Sequence, residues 1–358
     1  MAKILYGVAG EGSGHSSRAK EIITYLEKQG HIVKVVSHGK GYENLKDIFD
    51  VEKISGLHFS YKNNQVQYLP TVFKNLLNVP DIAQSVEKTG KIIDSFEPQI
   101  VFSDFEPVSC IAANIKKLPL ISLDNQHRLS NTKINYPEKY KTEALAATIV
   151  TKLMIFNSIA CLVIGFAPAQ ITNKKTFLFP PILRREVLDA KTKDKNYILV
   201  YLTTPFQELI GMLKNINKKF VVYGFNQNKK EKNIVFKKAN QKNFLKDLAS
   251  CEGVIANAGF TLISESFYLH KPYLALPVTG QFEQILNAFQ LETLGYGKYW
   301  DQLNKEKIES FLYNLGLYKK NLKKYKKEDN SKIFKKIDEL IQKNTFSTKK
   351  LLGIFKII

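Results

Sequence analysis

The sequence predicts an α/β protein built from two domains in series, and three observations carry that expectation. The chain has 358 residues, enough for two domains of ordinary size, and is 44% hydrophobic and 24% charged, a globular balance. Short β-branched runs alternate with amphipathic stretches, the rhythm of a parallel sheet with helical crossovers. That rhythm pauses once, at Pro180-Pro181 and the polar stretch LRREVLDAKTKDKN, and then restarts. A first domain at 1–183, a second at 184–316 and a basic C-terminal segment at 317–358 are therefore expected.

In the first domain, KILYGV at 3–8 reads as a buried strand that runs into a glycine loop. A helix follows at 16–29 with Ile22, Ile23 and Leu26 inward, ended by Gly30. HIVKVVS at 31–37 is a second strand, then come a helix at 81–96, a strand at 100–102, a helix from Pro107 and a strand at 120–123. Residues 144–167 are the best candidate for a membrane span, but Lys152, Asn157 and Ser158 interrupt them. A helix followed by the strand CLVIGFA fits that stretch better. Past the linker, strands are expected at 197–202, 220–222, 253–255 and 273–276. Helices are expected to begin near Phe206, Phe244, Thr261 and Phe282.

Composition narrows the function. Cys110, Cys161 and Cys251 lie far apart, which argues against a disulfide framework and a zinc cluster. The start, MAKILYGVAGEG, turns polar too early for a secretory signal, so a cytoplasmic protein is expected. A formal charge of +20 points to anionic partners. It is unevenly spread: residues 318–358 hold 13 Lys against 4 acids, +9 of the total.

Gly7, Gly10, Gly12 and Gly14 crowd one strand-to-helix turn, GVAGEGSGHSSR. The dinucleotide fingerprint fails because His15 stands at its third position, and no G-K-[ST] follows. The bend instead delivers His15 to the carboxyl end of the sheet, where open α/β sheets bind ligands. Asp104, in IVFSDFEP, ends another strand there. Its carboxylate can accept the His15 Nδ1 proton and leave Nε2 as a general base. Glu106 is a competing acid two residues on, and His127 a further strand-end histidine, read as a loop residue or acceptor contact.

The second domain carries the densest signal, at 253–297. The strand VIAN runs into Ala258-Gly259, and a helix opens at Phe260-Thr261 with free backbone N–H groups suited to a diphosphate. Glu265, about 1.7 turns along that helix, faces the same crevice and can accept bonds from a ribose diol. Glu283 and Gln284 follow the next strand and can bond sugar hydroxyls.

These residues resemble the donor-binding signature of GT-B glycosyltransferases: Gly259, Glu265 six residues later, Lys271-Pro272, and E-Q-x-x-N-A at 283–288. The UDP-glycosyltransferases and the family 28 transferases look nearest, within a bacterial and archaeal branch of glycosyltransferases. The loop GEGSGHSSR is similar to their acceptor-side G-x-G-H loop, and IVFSDFEP to the stretch supplying the aspartate partner. The resemblance spans about 290 residues in order across both halves. It implies two Rossmann-like domains facing each other across a cleft.

Carried over by position, it implies that Gly259, Phe260 and Thr261 cradle the diphosphate, Glu265 holds the ribose, and Glu283 and Gln284 read the sugar. His15 would act as base, oriented by Asp104, with Gly12, Gly14, Glu106 and His127 on the acceptor side. Asn257 stands where plant relatives place a phosphate-binding histidine, Thr203-Thr204 replace a glycine-serine loop, and His270 replaces the usual glycine before K-P. An inverting, metal-independent transfer from a nucleotide sugar, UDP-linked by resemblance, is implied, with no cofactor. The sequence shows no obvious D-x-D motif near either crevice.

The basic end points to location. Ile333, Phe334, Ile337, Leu340 and Ile341 recur at helical spacing, as in a C-terminal helix packing back on the first domain. Residues 346–358, FSTKKLLGIFKII, join three lysines to seven large apolar residues, a composition suited to an anionic membrane surface. Nucleic acid explains the lysines but not that apolar terminus. The expectation is thus a glycosyltransferase acting on a lipid-linked or cell-envelope glycan, peripheral on the membrane. The alternatives are a UDP-N-acetylglucosamine 2-epimerase-like enzyme and a non-catalytic basic adaptor of membrane or nucleic acid.

Overall fold

A computed structural model describes residues 1–56, 61–62, 65–66, 79–203, 205–300 and 302–354. Two seven-stranded sheets organise them. The first contains β1 (Lys3–Val8), β2 (Ile32–Ser37), β3 (Val51–Lys53), β4 (Ile100–Asp104), β5 (Leu120–Asp124), β6 (Ala160–Ile164) and β7 (Thr176–Phe179). Their order is β7-β6-β5-β4-β1-β2-β3, and every pairing is parallel. The helices are α1 (Gly14–Lys28), α2 (Gly39–Leu45), α3 (Val79–Phe96), α4 (Pro107–Ile115), α5 (Arg128–Asn131) and α6 (Lys141–Met154).

A short helix, α7 (Arg185–Leu188), opens the second unit. Its sheet contains β8 (Ile198–Tyr201), β9 (Phe220–Tyr223), β10 (Lys229–Glu231), β11 (Ile234–Phe236), β12 (Gly253–Asn257), β13 (Tyr273–Leu276) and β14 (Gly297–Tyr299). Their order is β10-β11-β9-β8-β12-β13-β14, parallel except for the edge pair β10-β11. The helices here are α8 (Gln207–Leu213), α9 (Gln241–Ser250), α10 (Phe260–Tyr268), α11 (Phe282–Thr293), α12 (Lys305–Tyr313) and α13 (Leu315–Leu322).

The central strands are buried along their length, as the continuous apolar runs require when helices cover both sheet faces. In each sheet the strand order reverses at the first strand, where neighbouring loops diverge and a crevice opens. In the first sheet that point lies between β1 and β4, and the register pairs Val8 with Asp104. In the second it lies between β8 and β12, with Tyr201 against Ala256.

The last helix, α14 (Ser331–Ile354), returns to the first domain. Ile333, Ile337 and Ile341 are buried, Phe334 stacks on Tyr25 of α1 at 4.1 Å, and the Tyr25 hydroxyl donates to Asp338 at 2.5 Å. The side chains of 346–358, for which a membrane surface is expected, lie outside the described residues, as does Thr204. Among the described residues no helix is long and apolar enough to cross a membrane.

Candidate active site

The glycine turn after β1 places the start of α1 against the second domain. Gly12 takes φ +74°, a left-handed turn that glycine adopts without strain, and it is exposed. A Cβ on Gly14 would stand 2.7 Å from Thr261 Oγ1, so only glycine allows the two loops this close. The N-termini of α1 and α10 thus confront each other across the cleft. Neither is capped by a side chain, and Gly259 is the N-cap of α10. Their free N–H groups and aligned dipoles make the gap electropositive.

His15 sits in the first turn of α1, half-buried, its Nδ1 2.7 Å from Asp104 Oδ1. Arg18, one helical turn on, is a residue that sequence reasoning missed. Its Nε donates to Asp104 Oδ2 at 2.7 Å, Nη2 to Oδ1 at 2.5 Å and Nη1 to Asn125 Oδ1 at 2.9 Å. Burial lowers the basicity of Arg18, but the attraction of Asp104 outweighs it and holds the guanidinium above its ordinary range. Arg18 Nη2 also lies 2.7 Å from His15 Nδ1. It can donate there only in the tautomer whose proton is on Nε2, so Asp104 and Arg18 compete over the imidazole.

Phe105, between Asp104 and Glu106, is held at φ +54°, a strained setting for an aromatic residue. Its ring stacks near His15, with centroids 6.5 Å apart, and presents an edge to His127. The strain turns the ring toward the two histidines.

Two acceptor-side expectations need correction. Glu106 is no crevice acid: it is fully buried as the N-cap of α4, accepting from the Val108 and Ser109 N–H groups at 2.9 and 2.6 Å. Burial pushes its carboxyl up to about 6, against those bonds. His127 is also withdrawn, since Nδ1 contacts Asp124 Oδ2 at 2.7 Å and the side chain is buried. Burial raises Asp124, but His127 more than reverses this and holds it near 2. Burial likewise opposes the charge on His127, yet Asp124 keeps its pKa raised.

The donor-side residues divide. Gly259, Phe260 and Thr261 stand at the α10 N-terminus, and Thr261 faces Gly14. Glu283 opens α11 and receives Asn125 Nδ2 at 2.8 Å and Gln126 Nε2 at 3.0 Å, two amides of the first domain. Asn125 therefore joins Arg18 to Glu283 across the cleft. Asn257 ends β12 between two loops: its Oδ1 accepts from the Thr203 N–H and hydroxyl, and its Nδ2 donates to Leu276 O at 3.0 Å. Gln284 likewise ties two strand-end loops, its carbonyl accepting from Ala258 and Val278 N–H at 3.1 Å.

Glu265 is fully buried and bidentate to Arg184, at 2.6 and 2.5 Å. Its ribose-facing role thus competes with a linker arginine that sequence reasoning missed. His270 takes φ +55° just past α10, the conformation for which a glycine is usual at a helix end. Lys271 is buried and fastened to Lys193 O and Asp194, a structural tie.

Residues 2–316 match the family described as glycosyl transferase family 1. The chain belongs to that family. Two relatives from Methanosarcina acetivorans, each described as an uncharacterized glycosyltransferase, are 24% and 23% identical over 330 and 354 residues. They cover 83% and 86% of this chain, and 85% of each relative is matched.

Among solved structures, this glycosyltransferase is similar to the calicheamicin glycosyltransferase CalG4. The TM-score is 0.68 at 15% identity, covering 96% of this chain and 98% of that one. MurG of Acinetobacter baumannii gives 0.60 at 15% identity over 96% and 100%. VinC in complex with dTDP gives 0.64 at 13% over 96% and 99%. The glycosyltransferase therefore has the GT-B fold, two Rossmann-like domains facing each other across a cleft.

Proposed function

We propose that this glycosyltransferase moves a sugar from a nucleotide-sugar donor, read as UDP-linked, to a hydroxyl of a lipid-linked or cell-envelope glycan. The observation that carries the reading is the pairing of His15 with Asp104 at 2.7 Å, opposite the α10 N-terminus. With Nδ1–H given to Asp104, the His15 Nε2 lone pair takes the acceptor proton as its oxygen attacks the anomeric carbon. The bond to the nucleoside diphosphate breaks on the opposite face, so the configuration inverts. Gly259, Phe260 and Thr261 offer their N–H groups to the leaving phosphates, which supports a metal-independent departure. A related solved structure holds dTDP, which supports a nucleoside diphosphate as ligand class here. The basic, apolar run at 346–358 supports a membrane-borne acceptor and a peripheral location.

His15→Ala is expected to lower transfer by about 100-fold or more while leaving nucleotide affinity unchanged. Initial rates with a hydroxyl acceptor and calorimetric titration of UDP, GDP and dTDP test both halves. Full activity in the variant removes His15 as base; no binding of any nucleoside diphosphate removes the donor reading.

A further inference from the structure

Helix α6 is inverted relative to the usual amphipathic arrangement, in which the large apolar residues face the core. Its buried positions hold Ala144, Thr151 and Met154, with Ala147 and Thr148 half-buried beside them. Its exposed positions hold Leu145, Ile149, Val150 and Leu153, of which Leu145 is 62% and Leu153 72% exposed. At 3.6 residues per turn these four fall on one continuous arc. Lys141 and Lys152 stand at the edge of that arc, and the one acid of the helix, Glu143, is half-buried at the rim of its inner face.

The patch continues past the helix. Phe156 is partly exposed, and its carbonyl accepts from Asn114 at 3.3 Å, which brings the end of α4 and the exposed Ile115 alongside. Lys116, paired with Asp94 at 2.6 Å, and Lys117 follow Ile115, and Lys175 reaches the Ser158 carbonyl at 3.3 Å. A broad apolar face is thereby edged with positive charge.

We propose that this glycosyltransferase lays the outer face of α6 on an anionic lipid bilayer. Fourteen helical residues extend about 21 Å, so the helix lies in the interface and does not span it. Leu145, Ile149 and Leu153 enter the acyl boundary, while the edging lysines are drawn to anionic headgroups.

The position suits the chemistry, and here the inference deepens the membrane-borne acceptor proposed above. The inner face of α6 packs through Ala144 against Phe282 and Leu286 of α11, the helix that carries Glu283. Its outer face therefore sets the bilayer beside the cleft wall.

The test is flotation of the full chain with vesicles of phosphatidylglycerol and phosphatidylcholine in equal parts. The wild type is expected to float with them, and Ile149→Glu/Leu153→Glu to bind about tenfold more weakly or worse, with unchanged melting. Lys349→Glu/Lys350→Glu/Lys356→Glu is expected to keep the α6-dependent part. Wild-type binding retained by the α6 variant overturns the proposal, as does a wild type that ignores anionic vesicles. A wild-type dimer that becomes monomeric in the α6 variant, without vesicle binding, assigns the face to self-association and also overturns it. Transfer to a water-soluble acceptor, measured in parallel, reports on the His15 reading separately.

Discussion

Arg18 grips both carboxylate oxygens of Asp104 from 86 positions away in the chain, and both side chains are buried. Arg18→Gln leaves the Asp104 carboxylate buried with its cation gone. The expected cost is about 3–5 kcal/mol of stability, read by urea unfolding. Arg18→Lys, which keeps the charge but loses the planar fork, is expected to recover part of that loss. Transfer should fall in both variants, because Arg18 positions the Asp104 carboxylate that in turn orients His15.

Glu265 separates two roles that its position allows. Glu265→Gln is expected to destabilise the protein by about 2–3 kcal/mol, since the half-buried Arg184 is left without its carboxylate. Calorimetry should also show UDP affinity several-fold weaker. A fall in stability with unchanged affinity assigns Glu265 to the linker and takes it out of the ribose site.

The Asp124–His127 pair gives a pH signature. Because the Asp124 pKa is depressed to about 2, its contribution is present above the unfolded value, about 4, and is lost as pH falls through 2. The His127 pKa is raised, so its contribution is full below about 6.5 and is lost as pH rises through the folded value. The pair therefore stabilises most between about pH 4 and 6.5. Unfolding free energies of the wild type and His127→Asn should differ most in that window and converge in alkali.

Glu283 clasps two amides of the opposite domain, and charge-assisted bonds of this kind are worth more than neutral ones. Glu283→Ala is expected to raise the donor KM by about tenfold, through lost sugar contact and a weaker clasp. Initial rates over a range of donor concentrations check this; an unchanged KM removes Glu283 from donor recognition.

The central strands were legible because burial on both faces imposes continuous apolar runs, as at 3–8, 120–123 and 253–255. The edges were not. KKE at 229–231 has no strand pattern and exists as β10 only through its antiparallel pairing with β11. Strand ends located His15 and Asp104, since the topology fixes where such ends converge. Arg18 stood in view at i+3 from His15, yet its meaning depends on a carboxylate brought in from β4. Glu106 carried a readable signal that pointed elsewhere: an acid directly before a proline at the first helical position is a cap.

The chain crosses between the domains twice, at 180–184 and again before α14. The two crossings are stitched together: Asn330 Nδ2 donates to Leu183 O at 2.8 Å, and Leu183 N–H to Asn330 Oδ1 at 3.0 Å. One asparagine side chain thus satisfies both backbone groups of Leu183 and ties the two linkers into a double strut between the domains. The same two domains meet again across the cleft, where Asn125 of the first bonds Glu283 of the second.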